Sequence, residues 1–347
     1  MIDVALDADV LGRQRTGDES YVAALLAELA RVDHGLRLAA VTRHPELVPN
    51  GIEPVRLDTS RQVVRMSLRL PRLLRRLGPR LAHFQHVVPP GCPCPAVVTI
   101  HDLSFERHPQ LMSRRDRFVF RTMVPRSVRR AARVLAVSEQ TRRDLVEYYR
   151  VPDEKIVVTP NGVDPLFSPG GTRADGAPYA LFVGTLQPRK DPLAALEALA
   201  LVPGNLRLVI VGPDKGLGGE ARRTAARLGL NGRVTFAGHV EKNQLAELYR
   251  GAACLVFPSR YEGFGLPVVE AMASGTPVVA AASGSVPEVA GGAAVLVEPG
   301  NPAALAGGIE RALADRERLV RAGLERATLY SWTETARRTL DVYRGLL

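Results

Sequence analysis

The stretch "YALFVGTLQPRKDPLAALEAL", residues 179–199, contains the unit from which the fold is built. An apolar run typical of a buried strand reaches a turn at Gly184, and a helical pattern starts near Pro192. Short apolar runs followed by helical patterns recur in two series, which predicts parallel sheets built from strand–helix units. The first series is "IDVALDA", "RLAAVT", "LAHFQH", "AVVTIHD", "RVLAVS" and "KIVVTPNG"; the second is "YALFVGT", "LRLVIVG", "RVTFAG", "CLVFPS", "TPVVAA" and "AAVLVEP".

A length of 347 residues fits two domains. We predict an α/β fold with two doubly wound, Rossmann-like domains, one over residues 1–168 and the other over residues 169–325. The segment 326–347 should form a C-terminal helix that packs back toward the first domain. Because ligands of open α/β sheets bind beyond the carboxyl ends of the strands, we expect the chemistry in strand-end loops facing a central cleft.

The chain carries a net charge of +10, mostly in its first half, where residues 1–168 hold 26 basic and 19 acidic residues. Such a field suits nucleic acid, an anionic membrane surface or phosphorylated substrates. Residues 61–80 hold seven arginines and no acid, and residues 113–130 form a second basic cluster. The spacing predicts one helical face that carries six of these arginines: Arg61, Arg65, Arg69, Arg72, Arg76 and Arg80. That face could lie on anionic lipid, or the arginine stems could cover a core helix.

Other features restrict the class of protein. No apolar run reaches the roughly 18 residues of a membrane-spanning helix, and the start "MIDVALDADV" does not resemble a signal peptide, so we expect a cytoplasmic protein. The cysteines Cys92, Cys94 and Cys254 are predicted to be free thiols. The chain contains no Walker loop and no G-x-G-x-x-G after a strand, which argues against a P-loop or dinucleotide site.

Two strand-end loops hold the candidate site. Arg189 and Lys190 precede a helix, and two cations beside a helix amino terminus favour a diphosphate site over a merely solvated basic loop. In "YEGFGLPVVE", residues 261–270, the glycines let the backbone approach a ligand closely. Glu262 could accept hydrogen bonds from hydroxyls and stabilise positive charge on a sugar ring. Glu270 could chelate a ribose, or it could be a helix carboxylate favoured by the macrodipole.

The order of these motifs resembles the retaining nucleotide-sugar glycosyltransferases of family four, which have the GT-B fold. The resemblance covers most of the chain and is densest from Val134 to Pro299. Seven motifs carry it: "HDLSF", "VSEQTRRDL", "VTPNGVDP", "FVGTLQPRKD", "VTFAGHV", "FPSRYEGFGLPVVEAMASGTPVVAA" and "SVPEVAGGAAVLVEP".

The resemblance implies that residues 1–168 form the acceptor-side domain and residues 169–325 the donor-binding domain. It also implies a role for each candidate residue. Glu262 would act on the donor sugar, and His101 would be catalytic, near the donor sugar and on the acceptor side; without the resemblance, a His–Asp pair such as His101–Asp102 after a strand is more often a loop brace. Further residues are implied to contact the phosphates, the ribose, the sugar or the base of the donor. They are Gly17, Arg189, Lys190, Gly212, Val240, Gly263, Phe264, Gly265, Leu266 and Glu270. The sequence departs from the commoner family pattern at Asp18 and Glu19, which follow Gly17, and at Thr185, where many relatives have arginine. We expect the two carboxylates to face the acceptor or to cap the helix that follows.

The implied reaction moves a hexose from a nucleoside diphosphate sugar to an acceptor hydroxyl with retention of configuration. GDP-mannose is the favoured donor, with UDP-sugars or other donors open, and the acceptor could be a glycan, a lipid-linked molecule or a small molecule.

We expect no cofactor and no metal, and we give less weight to "DAD", residues 7–9, as a metal-binding pair. Nucleic acid is not an expected partner, whereas membrane contact through the basic helices is a hypothesis. The arginine-rich composition suggests a bacterial source. A nucleotide-sugar epimerase or a glycan phosphorylase of the same architecture is the alternative.

Overall fold

A computed structural model describes residues 2–13, 17–32, 35–59 and 61–347. The chain divides into two compact units. The first runs from the amino terminus to Gly162 and also includes Ser331–Leu347, and the second is Val163–Tyr330. The sequence-based boundaries at 168/169 and 325/326 lie within six residues of these positions.

The first unit is built on a seven-stranded parallel sheet with strand order β3-β2-β1-β4-β5-β6-β7. Its strands are β1 Val4–Asp7, β2 Leu38–Thr42, β3 Glu53–Arg56, β4 Leu81–Gln85, β5 Ala96–Ile100, β6 Arg133–Ala136 and β7 Ile156–Val158. Its helices are α1 Gly17–Arg31, α2 Gln62–Val64, α3 Leu70–Leu77, α4 Ser104–Arg107, α5 Arg114–Arg130 and α6 Glu139–Tyr149. A π-helix spans Arg65–Arg69, and 3₁₀ turns span Pro45–Leu47, Pro109–Leu111 and Asp153–Lys155.

The second unit is built on a six-stranded parallel sheet with strand order β10-β9-β8-β11-β12-β13. Its strands are β8 Tyr179–Val183, β9 Arg207–Val211, β10 Val234–Gly238, β11 Cys254–Phe257, β12 Val278–Ala281 and β13 Val295–Val297. Its helices are α7 Pro192–Leu201, α8 Gly218–Arg227, α9 Lys242–Gly251, α10 Leu266–Ala273, α11 Val286–Ala290, α12 Pro302–Ala314 and α13 Arg316–Ala327, with a 3₁₀ turn at Pro188–Lys190.

The last helix, α14 (Trp332–Arg344), belongs to the first unit. Thr335 Oγ1 donates a hydrogen bond to the carbonyl of Pro160 at 2.5 Å, and the hydroxyl of Tyr343 lies 2.5 Å from Nδ1 of His83. Tyr343 and His83 are both fully buried. The chain therefore leaves the first unit after Gly162 and completes it with its final helix.

Each apolar run identified in the sequence forms a strand, so the prediction of two parallel α/β domains is confirmed. Among the strands of the described ranges, the sequence pattern missed only β3, whose sequence "EPVR" has no apolar run. This strand lies at the edge of the sheet and is largely exposed, so it needs little apolar surface. In the described part of the chain, no helix is both long enough and apolar enough to cross a bilayer.

The prediction of a single arginine face over 61–80 was wrong at Arg65. The π-helix shifts the helical register, and Arg65 is fully buried while Arg61, Arg69 and Arg72 stay exposed. Its guanidinium pairs with Asp7 at 2.5 Å and with Asp9 at 3.4 Å. Asp9 also accepts from Arg43 at 2.9 Å. The acidic pair of "DAD" therefore holds arginines at the carboxyl end of β1.

Candidate active site

In the second unit, the loops after β8 and β11 bring together three of the predicted site residues. Glu262 accepts hydrogen bonds through Oε2 from Arg189 at 3.0 Å and through Oε1 from Lys190 at 2.5 Å. Arg189 also donates to the carbonyl of Tyr261 at 2.8 Å. One carboxylate is therefore held by both cations, although these residues lie more than seventy positions apart in the sequence.

The charge state of Glu262 follows from this contact. Burial alone would raise the pKa of Glu262, but the charges of Lys190 and Arg189 outweigh burial and lower the pKa to about 2. Glu262 is 6% exposed, so water screens these ion pairs only weakly. The site consequently contains an ionised carboxylate and two cations at neutral pH.

The two loops are joined by further bonds that the sequence did not reveal. The backbone N–H of Arg260 donates to the carbonyl of Arg189 at 2.8 Å, and its Nε donates to Asp191 Oδ2 at 2.7 Å. Asp191 has a left-handed backbone (φ 52°) and caps α7 through its other oxygen, which accepts from the N–H of Ala194. The start of α7 and the loop that carries Glu262 are therefore fixed to each other.

The loop between β12 and α11 braces Glu262 from the other side. The backbone N–H and the hydroxyl of Ser285 donate to the Glu262 carbonyl at 3.0 and 3.2 Å. A Cβ at Gly284 would lie 2.2 Å from that carbonyl oxygen, and Gly284 has φ 55°. The motif "SGSVPE" contains this brace, but only the fold shows what it contacts.

The rest of "EGFGLPVVE" forms the start of α10. Gly265 has φ 95° at the cap position, and Leu266 is the first helical residue. The ring of Phe264 is buried against Tyr330, with the ring centroids 5.4 Å apart, so Phe264 can offer only its backbone to a ligand. Gly263 is also buried. Binding of the donor by the backbone amides of this turn stays a prediction.

Glu270 lies one turn into α10 and has different neighbours from Glu262. Its Oε2 accepts from the hydroxyl of Tyr249 at 2.9 Å. Burial raises the pKa of Glu270 to about 7, although the Tyr249 hydrogen bond opposes this shift. The charge of Lys242 also opposes the shift, whereas Asp164, which pairs with Lys242 at 2.8 Å, adds to the increase. The two glutamates therefore have separate chemical environments, as their spacing suggested.

Gly212 and Val240 follow β9 and β10, at the same edge of the sheet. Gly212 has φ 137°, and a Cβ there would lie 2.1 Å from the carbonyl oxygen of Gly184. Its N–H donates to the carbonyl of Gly238 at 2.7 Å. The glycines at the ends of β8, β9 and β10 thus pack backbone against backbone. The side chain of Lys190 lies over Gly184, where an added Cβ would be 3.4 Å from its Cδ, an ordinary van der Waals contact.

The first unit holds the remaining candidates, Gly17 and His101. Gly17 begins α1, and a Cβ there would meet open space, so packing does not demand glycine. Glu19 accepts from the N–H of Gly12 at 2.7 Å and so braces the loop before α1. His101 follows β5, and its Nε2 lies 2.8 Å from Gln85 Oε1 and 3.9 Å from Asp18 Oδ1.

A second histidine, which the sequence did not single out, lies beside His101. The His86 ring is 5.1 Å from the His101 ring, and its Nε2 is 3.3 Å from Asp18 Oδ2. Burial lowers the pKa of His101 to about 4. Burial opposes protonation of His86 as well, but Asp18 outweighs it and raises the pKa of His86. Parallel pairing of β4 with β5 brings the two rings together, and that pairing depends on strand order, which no local sequence pattern reveals.

Comparison with known proteins identifies the same architecture. Residues 15–166 match the model described as Glycosyltransferase Family 4, and residues 167–326 match Glycosyl transferases group 1. An O-antigen chain mannosyltransferase B from Escherichia coli is 30% identical over 270 residues, 72% of this chain and 70% of that protein.

Two further comparisons bear on ligands. A D-inositol 3-phosphate glycosyltransferase from Nocardia farcinica is 37% identical over 62% of this chain, and the match spans only 53% of that relative. The structure of Anabaena Alr3699/HepE in complex with UDP-glucose superposes with a TM-score of 0.77 at 18% identity, covering 100% of both chains. At that identity the likeness concerns the fold, which is the GT-B type.

Proposed function

Because this chain belongs to the family-four glycosyltransferases, we propose that it transfers a hexose from a nucleoside diphosphate sugar to an acceptor hydroxyl with retention of configuration. The observation that carries the proposal is the clamp, defined as Glu262 held between Arg189 and Lys190. Two cations suit a diphosphate, and an ionised carboxylate suits sugar hydroxyls.

Donor binding would rearrange the clamp. Phosphate oxygens compete with Glu262 for Arg189 and Lys190, and every cation–phosphate contact formed frees a carboxylate oxygen. The freed oxygens can then accept from hydroxyls of the sugar and stabilise the positive charge that develops on its ring. Arg189, Lys190 and the amide groups at the start of α10 would hold the leaving diphosphate without a metal ion. Retention would follow from departure and attack on one face within an ion pair.

The remaining donor contacts are proposed from position. Glu270 would bind the ribose, Gly212 and Val240 would lie near the base, and Gly17 would approach the phosphates through its backbone. His101 would contribute to catalysis in its neutral form. The favoured donor is GDP-mannose, which the mannosyltransferase relative supports, and UDP-glucose is the competing donor, since it is bound in one protein of the same fold.

The acceptor is proposed to be a glycan or a lipid-linked molecule presented at an anionic membrane. Two basic segments of the first unit expose apolar side chains among their arginines. Phe118 and Val119 in α5 are 72% and 46% exposed, and Val63 in α2 is 77% exposed. Arginines beside exposed apolar groups favour binding to anionic lipid. Flotation with anionic vesicles at low salt tests this contact, and failure to float would remove it from the proposal.

The decisive experiment incubates the protein with a panel of GDP-, UDP- and other nucleotide sugars and measures release of nucleoside diphosphate. Release from one donor, with the product anomer read by NMR, is the expected result. Interconversion of donor sugars without release would indicate the epimerase alternative. A requirement for inorganic phosphate would indicate the phosphorylase. If the protein neither binds nor turns over any donor of the panel, the proposed function is contradicted.

Variants of the two glutamates separate their roles. Glu262→Gln should lower kcat by about 10²-fold while donor binding persists, because the carboxylate acts on charge that develops during reaction. Glu270→Ala should mainly raise the Kd of the donor. The exposed Glu310→Gln in α12 is the matched control and should behave as wild type. Near-normal kinetics for both site variants would refute the assignment.

A further inference from the structure

Three side chains that commonly bind metals meet in the first unit, beyond the carboxyl ends of its strands. Asp18 lies in the first turn of α1, His86 directly follows β4 and His101 directly follows β5. One ligand atom from each residue lies within 4.8 Å of the other two. Nε2 of His86 is 3.3 Å from Asp18, and Nε2 of His101 is 3.9 Å from the other oxygen of the same carboxylate.

The backbone of His86 adopts a strained conformation. His86 has φ 58°, in the left-handed region, which costs a non-glycine residue about 1 kcal/mol or more. Its N–H donates to the carbonyl of Thr99 at 2.9 Å, and its ring packs edge-on against Phe120. The buried Nδ1 of the same ring has no hydrogen-bond partner among the described residues. A strained backbone and an unpartnered nitrogen together indicate a role other than packing.

We propose that Asp18, His86 and His101 form a binding site for a divalent transition metal of the zinc class. Two imidazoles and one carboxylate are a common ligand set for such ions, and three protein ligands leave a coordination position open. Ligand atoms about 2 Å from a zinc ion lie somewhat more than 3 Å from one another. The observed separations of 3.3 and 3.9 Å are close to this value, whereas the ligand atoms of the two histidines, which lie within 4.8 Å of each other, would have to move closer.

The surroundings of the cluster permit entry of an ion. The side chain of Asp18 is 35% exposed, while those of His86 and His101 are 17% and 11% exposed, so the carboxylate faces the entry side. Gln85 must give up its hydrogen bond to His101 Nε2 before that atom can bind the metal. The metal would bind His101, a residue that the proposed reaction uses. It would therefore block the reaction, whereas a catalytic cofactor would assist it.

We expect the bound metal to inhibit the transfer reaction. This expectation rests on the proposed function, whereas the metal site itself does not. A metal bound to Nε2 of His101 would remove that atom from transfer. Zinc should therefore lower turnover at least tenfold, and a chelator should restore it. Failure of turnover with every donor would end the functional proposal but leave the binding site testable, because metal binding is measured directly.

The test is a calorimetric titration of the untagged full-length chain with Zn²⁺. Cys92 and Cys94 are replaced by serine to exclude thiol binding, since both are free. One zinc per chain is expected, and Asp18→Asn or His86→Gln should each weaken binding at least tenfold. His44→Gln is the matched control, because His44 also lies beside a carboxylate, that of Glu46, yet is outside the cluster. It should bind zinc as the parent does.

A second measurement guards against variants that fold poorly. Co²⁺ added to the parent should give visible d–d absorption without a thiolate charge-transfer band, and thermal unfolding should show each variant folded. No zinc binding by the parent would overturn the proposal. Unchanged binding in folded Asp18→Asn and His86→Gln would also overturn it. Zinc binding without any effect on an active enzyme would overturn the inhibitory consequence.

Discussion

At the residue scale, Glu270 gives the fold a pH dependence. Its pKa is raised to about 7, so the folded state holds the proton more tightly than the unfolded state. The stability from this proton is complete below the unfolded value of 4.5 and is lost as the pH rises through about 7. Glu270→Gln should therefore be more stable than wild type at about pH 8, by roughly 1–2 kcal/mol, and similar at about pH 4.

Urea unfolding at both pH values measures this difference. The exposed Glu310→Gln serves again as the control and should track wild type throughout. The proposed ribose contact adds a second expectation for the wild type. Hydroxyl donors favour the ionised carboxylate, so donor affinity should increase from about pH 6 to pH 8. An equal stability gap at both pH values would contradict the raised pKa of Glu270.

Gly284 offers a steric test of the brace behind Glu262. Its left-handed backbone and the 2.2 Å approach of a Cβ to the Glu262 carbonyl leave no room for alanine. Gly284→Ala should cost about 1–3 kcal/mol of stability and lower turnover, because the clamp must move. Gly307→Ala in α12 is the control, since its Cβ would meet only Arg311 at 3.6 Å. Thermal unfolding compares the two, and equal midpoints would refute the brace.

At the element scale, the π-helix Arg65–Arg69 places a buried guanidinium beneath β1. Arg65→Met would leave Asp7 and Asp9 without their buried partner, which should destabilise the protein by about 3–5 kcal/mol. Arg69→Ala on the exposed face of the same segment should change stability by less than about 0.5 kcal/mol. Chemical denaturation followed by circular dichroism measures both, and a mild effect of Arg65→Met would contradict the structural role of the network.

The elements also show where sequence reasoning stops. Buried β-branched strands and glycine turns are local signals, so twelve of the thirteen strands in the described residues could be predicted. The sequence could predict that Glu262, Arg189 and Lys190 lie at the same edge of one sheet. It could not predict that they contact each other, because contacts across about seventy residues depend on strand order. Arg65 was misplaced because periodicity assumes an unbroken α-helix. His86 was missed because nothing in "LAHFQH" distinguishes a strand-end histidine from a core one.

At the scale of the whole molecule, we expect the second unit to fold on its own and the first unit to need the C-terminal segment of the chain. The second unit has its own buried apolar core and contains most of the predicted donor contacts, from Arg189 to Glu270. A fragment of residues 163–330 should therefore unfold cooperatively and bind the donor nucleotide within about tenfold of the full chain. The first unit without residues 331–347 should fail to fold, because Tyr343 and Trp332 would leave its core.

Calorimetry and nucleotide titration of both fragments check this expectation. Full-length protein carrying Glu310→Gln provides the reference for purity and handling. A 163–330 fragment that is unfolded, or folded without nucleotide affinity, would contradict the assignment of the donor contacts to one unit. A 1–162 fragment that folds would contradict the structural role of α14.

The clamp finally bears on which anions the protein excludes. Free phosphate would have to displace a carboxylate that already lies 3.0 Å from one cation and 2.5 Å from the other. A small ion brings no other contact to offset that loss, whereas a nucleotide sugar brings a base, a ribose and a hexose. If the proposed donor site is right, we expect these internal ion pairs to act as a size filter, so that small phosphates bind poorly and only the larger molecules that carry the sugar bind well.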